Sequence, residues 1–153
     1  MLICTLALVY TADCQCKKSK EAIGIGIIST LRAPISLSVE YANVPQESKV
    51  GLLIGLYAGH RIETGKDSVG GFSVGMQASG LYKLFQKDDT FTTNLLVGGS
   101  IDEGGAGIQG GLHFVKYIGF SKENALFIIP AYDVMRKTPF LKVGVYLQPN
   151  RRL

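Results

Sequence analysis

Charge is scarce in this chain. Asp, Glu, Lys and Arg make up only 18% of its 153 residues, against about 25% in ordinary soluble domains. Tryptophan is absent, and the three cysteines, Cys4, Cys14 and Cys16, all lie in the first sixteen residues. The body therefore carries no thiol, which excludes a disulfide framework, a thiolate metal centre and a cysteine nucleophile there. No apolar run is long enough to cross a membrane as a helix: the one at residues 2–9 falls far short of the roughly 20 residues a spanning helix needs. No segment carries a helical period. The basic residues are scattered among turns and ends without interleaved aromatics, which argues against a nucleic-acid partner.

The apolar run at 2–9, followed by small and polar residues, has the form of a secretory signal peptide over residues 1–16, with cleavage expected after Cys14 or Cys16. Cleavage removes only one charge, Asp13, and raises the net charge from +4 to +5. Lipidation of Cys14 or Cys16 is disfavoured, because Asp13 and Gln15 stand where a lipoprotein signal needs a small residue. Residues 17–21 then form a short basic segment with Lys17, Lys18 and Lys20, residues 22–148 the single domain, and 149–153 a tail.

What the body has in abundance is two-residue alternation. In "GGFSVGMQASGLYKLF", residues 70–85, one face reads Phe72, Val74, Met76, Ala78, Gly80, Tyr82 and Leu84, and the other Gly71, Ser73, Gly75, Gln77, Ser79, Leu81 and Lys83. Period two is a strand. Eight such segments can be marked, at 22–31, 35–43, 49–60, 70–84, 90–100, 105–115, 124–133 and 140–148, separated by turn-rich connections such as "VPQES", "QKDD" and "RKTP". Strands in unbroken succession joined by short turns predict an up-and-down antiparallel barrel, in which closure removes the exposed edges. Pro130, in the middle of the seventh segment, predicts a bulge or local kink.

Across these segments one face is uninterrupted by charge and includes Ile25, Leu37, Leu56, Val97 and Val143; on the seventh segment Ala125, Phe127, Ile129 and Ala131 are assigned to it. The other face is made of Gly, Ser, Gln and a few ionisable groups. Two closures follow. With the oily face inside, the protein is a soluble lipocalin-like or avidin-like calyx for an apolar ligand, wearing a weakly charged exterior of Gly and Ser that invites self-association. With the oily face outside, it is a transmembrane β-barrel whose solvent on that side is lipid, and segments near ten residues suit the 9 to 11 such strands need. The second is the leading expectation. Tyr41, Tyr82, Phe91 and Phe114 then fall on the oily face near the strand ends on the side of the chain termini, as interfacial aromatics do.

The signal peptide, the eight strands, the short turns and the terminal "KVGVYLQPNRRL" resemble the small outer-membrane β-barrel proteins of Gram-negative bacteria, the OmpX-like and OmpA-like class. Cleavage before Gln15 is similar to that of Bacteroidota exports. The resemblance is one of pattern over residues 22–148. It implies an outer-membrane location, lipid as the surrounding partner, and recognition by the barrel-insertion machinery through a last-strand signal that Lys142, Gly144 and Leu147 fit, while Pro149 and the final Leu153 depart from it.

Chemistry is sparse. His60 and His113 have no serine or carboxylate nearby in a recognisable pattern. Outer-membrane lipid deacylases resemble this architecture and use a surface Ser and His, whereas His113 has interior parity. Gly24 and Gly26 precede no helix and do not make a phosphate loop. Asp102 and Glu103 are too few for a calcium site and read as a turn. The interior charges Glu40, Lys83, His113 and Lys142 predict a polar network, with Tyr57 and Gln77 adding hydrogen bonds and Glu40 pairing with Lys83 or His113. Eight strands leave an interior that side chains fill, so no pore is expected. The longest connection, with His60, Arg61, Glu63, Lys66 and Asp67, is the candidate for contact with an external protein partner. The expectation is a non-enzymatic outer-membrane barrel with a plugged interior, without metal or cofactor, in a structural or interaction role such as that of an envelope-complex subunit.

Overall fold

A strand in a barrel wall turns alternate side chains to two different environments, and burial along the described strands alternates accordingly. In the computed structural model, residues 19–30, 35–61, 71–88, 90–103, 105–118 and 124–148 are described. The expected signal peptide and tail, and loop residues Glu63, Lys66 and Asp67, lie outside them, as do the side chains of His60 and Arg61. The strands are β1 (Ser19–Thr30), β2 (Ser36–Pro45), β3 (Val50–Arg61), β4 (Gly71–Lys87), β5 (Phe91–Asp102), β6 (Gly105–Ile118), β7 (Asn124–Asp133) and β8 (Thr138–Leu147). Each pairs antiparallel with the next, and β1 pairs with β8 from Ile23↔Leu147 to Thr30↔Phe140, so the sheet is a closed barrel in sequence order.

The oily side faces outward. Taking one residue from each strand, Ile25, Leu37, Leu56, Met76, Val97, Ile108, Ile128 and Leu141 are between 46% and 64% exposed. The side chains that converge on the axis are instead Glu40, Asn94, His113 and Lys142 among others, all 2% exposed or less. This geometry overturns the calyx alternative, which required the isoleucines and leucines to line the centre.

On β7 the predicted parity is reversed. Ala125, Phe127 and Ile129 point inward, with Ala131 half-buried, while Leu126, Ile128 and Tyr132 face out. Both faces of β7 are apolar, so alternation alone does not choose between them, and cross-strand register does. Ile129 stands opposite Lys142 and shares its inward face, while Pro130 stands opposite Leu141 on the outward one. The Phe127 ring fills space that Gly26 and Gly144 leave: a Cβ at either would come within 2.9 Å and 2.5 Å of it, respectively. Glycines that weaken a strand by their own entropy are here the complement of a large ring on the neighbouring wall.

Pro130 causes no register shift. The β6–β7 ladder lapses between Gly111↔Ala131 and Phe114↔Ile128 and resumes in the same register, and the sheet stays closed there. The shift lies on β4, between Lys83 and Phe85. A bulge reverses side-chain parity beyond it, so Leu84 and Phe85 both face out and Gln86 turns in.

Candidate functional site

Among the described residues the barrel interior gathers the polar chemistry, and it is stacked along the axis. At the end bearing the first residues of β1 and the last of β8 it is sealed by an apolar cluster that includes Leu53, Leu81, Leu96, Val115 and Phe127. The 46–49 turn folds into this end with Gln46 and Ser48 buried. Lys83 Nζ donates to the Gln46 carbonyl and to Gln86 Oε1 at 3.2 Å, and Gln46 Nε2 donates to the Tyr117 hydroxyl at 2.7 Å. Lys20 sits 4.1 Å above the Tyr117 ring, a cation–π contact.

The middle of the barrel holds a buried ion pair between Lys142 Nζ and Glu40 Oε2. Glu40 also accepts from the Tyr146 hydroxyl at 2.8 Å and from Gln77 Nε2 at 3.4 Å. A hydroxyl has one proton to give. Because Tyr146 spends it on Glu40, the 3.0 Å contact of Tyr146 with His113 Nε2 requires the histidine to donate, which leaves His113 Nδ1 to accept from Asn94 Nδ2 at 3.3 Å. The tautomer follows from the network. Asn94, His113, Tyr146 and Glu40 thus form one directional chain ending on the carboxylate that Lys142 neutralises. Phe127 stacks on Tyr146, ring centroids 4.3 Å apart, and covers it from the apolar side.

The opposite end opens into a cavity of about 150 Å³ lined by Tyr57, Gln77, Ser100, Asp102, Gln109 and Arg136 among others. Arg136, on the 134–137 turn, forks onto both Asp102 oxygens at 2.9 Å, and the Tyr57 hydroxyl donates to Asp102 Oδ2 at 2.8 Å. The Asp133 carboxylate accepts from the Arg136 backbone N–H at 2.9 Å, which fixes the turn. Partial burial works against the guanidinium charge, but Tyr57, Asp102 and Asp133 outweigh it and hold the Arg136 pKa above its ordinary value.

Of the predicted network, the fold brings together Glu40, Gln77, Lys142 and, through Tyr146, His113. The predicted partner of Glu40 is replaced: Lys142, from the strand beyond β1, takes the place assigned to Lys83 or His113. Lys83 belongs to the sealed end and Tyr57 to the mouth. Tyr146, Asn94 and Arg136 were not singled out, and Asp102, read from the sequence as part of a turn, instead ends β5 and binds Arg136 and Tyr57. Inward parity marked the first two, but the Arg136 guanidinium comes from a turn and carried no signal. Tyr41 and Tyr82 face outward, and Phe91 stacks on Phe114 with centroids 6.3 Å apart. Among the described residues no cluster of His, Cys, Asp and Glu is placed to hold a metal ion.

No family profile and no curated protein matches this chain. Among solved structures it is similar to the outer membrane protein Ail of Yersinia pestis in a phospholipid bilayer nanodisc, with a TM-score of 0.54 at 11% identity over 85% of this chain and 100% of that one. Ail in complex with the heparin analogue sucrose octasulfate gives a TM-score of 0.54 at 12% identity, over 87% and 100%. A de novo designed protein, TMB2.3, gives 0.52 at 10% identity, over 86% and 97%. At such identities the likeness is one of fold: the architecture is that of the small eight-stranded outer-membrane barrels.

Proposed function

We propose that this chain is a non-enzymatic β-barrel of the outer membrane, exported through a cleaved signal peptide at 1–16, whose plugged interior gives it a structural or interaction role, as a subunit of an envelope complex. The observation that carries the reading is the outward apolar belt, continuous around all eight strands. A soluble protein rarely exposes a contiguous apolar patch beyond a few hundred Å²; lipid removes that cost. Strands of 10 to 17 residues rising about 3.3 Å per residue cross the roughly 25 Å hydrocarbon band when tilted. The first residues of β1 and the last of β8 then lie on the periplasmic side, and Tyr41, Tyr82, Phe91 and Phe114 sit at that interface.

A non-enzymatic role is supported by His113, which is fully buried with both ring nitrogens engaged inside the protein. The connection with Glu63, Lys66 and Asp67, together with His60 and Arg61, which lie at the end of β3 rather than in the loop, is the surface offered to an external partner. The test is cell fractionation combined with gel mobility: the protein is expected in the outer membrane, migrating differently before and after boiling. Recovery as a detergent-independent monomer in the soluble fraction would overturn the reading.

A further inference from the structure

The outward face carries a local break in its apolar surface, at the end where β1 begins and β8 finishes. Register pairs Lys87 of β4 with Phe91 of β5, and Phe91 with Lys116 of β6. Residues opposite one another share a face, so the three side chains stand in one row across adjacent strands, with both lysines exposed. One rung toward the middle of the barrel lie Phe85, Thr93 and Phe114, and Phe114 stacks on Phe91. Among the described residues neither ammonium has a carboxylate in ion-pair contact. The nearest acid in sequence, Asp88, lies on the following turn. Among the described residues the other charged side chain on the outward strand face, Glu21, is on β1.

We propose that this row is a binding site for the headgroup of an anionic phospholipid, in the leaflet at the sealed end of the barrel. The inference rests on the membrane reading above. Lys87 and Lys116 are two strands apart, about 10 Å between backbones, and each ammonium rides on a flexible four-carbon stem. Beside a lipid-facing surface such stems lie along apolar groups and lift the charge to headgroup level. Two ammoniums rising on either side of Phe91 converge on one phosphodiester, while Phe85, Phe91 and Phe114 give its acyl chains an aromatic wall. A choline headgroup would add a third cation to the pair, whereas phosphatidylglycerol adds only hydroxyls.

The folded full-length protein in neutral detergent, titrated with phosphatidylglycerol or phosphatidylcholine and read by native mass spectrometry, tests the site. Phosphatidylglycerol should bind more tightly than phosphatidylcholine. The double variant Lys87→Gln/Lys116→Gln should weaken it on the order of tenfold, while Lys49→Gln, at the same end but outside the row, leaves it unchanged. Heat-modifiable mobility of each variant is measured first, because a chain that does not form the barrel bears on the membrane reading alone. A folded wild-type protein without preference for phosphatidylglycerol, or a folded double variant that binds it as well as wild type, overturns the site.

Discussion

Glu40 and Lys142 neutralise one another in a space closed on all sides, so removing either strands the other. Taking one partner from a buried pair costs about 3–5 kcal/mol, whereas replacing both with uncharged groups of similar volume is often close to neutral. Glu40→Ala is therefore expected to lower stability by that amount in urea unfolding from lipid vesicles, and Glu40→Gln/Lys142→Met to restore most of it. A Glu40→Ala protein within 1 kcal/mol of wild type, as an order of magnitude, would mean the pair is not shielded. Arg136 at the mouth is less enclosed, and Arg136→Ala should cost only about 1–2 kcal/mol. Arg136→Lys keeps the charge without the two-pronged fit to Asp102 and should recover only part of that loss.

The strand is the scale at which the sequence was most and least informative. On β4, charge and bulk separate cleanly by parity, and the oily face read from residues 70–84 is the outward one up to Leu84. On β7, Leu126 and Ile128 are as apolar as Phe127 and Ile129, so nothing local distinguishes inside from outside. Only the pairing with β8, unknown before folding, does so. The partner of Glu40 was hidden for a related reason, because contacts across the axis depend on strand stagger, and Lys142 lies 102 positions away. The absence of tryptophan makes the β7 assignment directly measurable. In vesicles of lipid brominated along the acyl chain, Ile128→Trp should be strongly quenched and Phe127→Trp should retain most of its emission. The reverse order would return β7 to the parity read from sequence.

As a whole the molecule is a belt around a plug. Leu56→Arg places a cation midway along the belt on β3 and should cost about 2–4 kcal/mol in a bilayer, measured by the same urea unfolding. An unaltered midpoint would show that this face does not meet hydrocarbon. The interior layers leave no continuous water path, since the apolar cluster and the inturned 46–49 segment shut one end. Planar bilayers containing the protein are therefore expected to show no unitary currents. Steady channel openings from the wild-type barrel would contradict the plugged arrangement.

The hydrogen-bonded seam between β1 and β8 joins the first strand of the barrel to the last. Until β8 has been synthesised, β1 has only half its ladder satisfied, and a nascent piece of this protein presents a raw border to any other strand it meets. Closure is complete only when the first strand of the barrel pairs with the last.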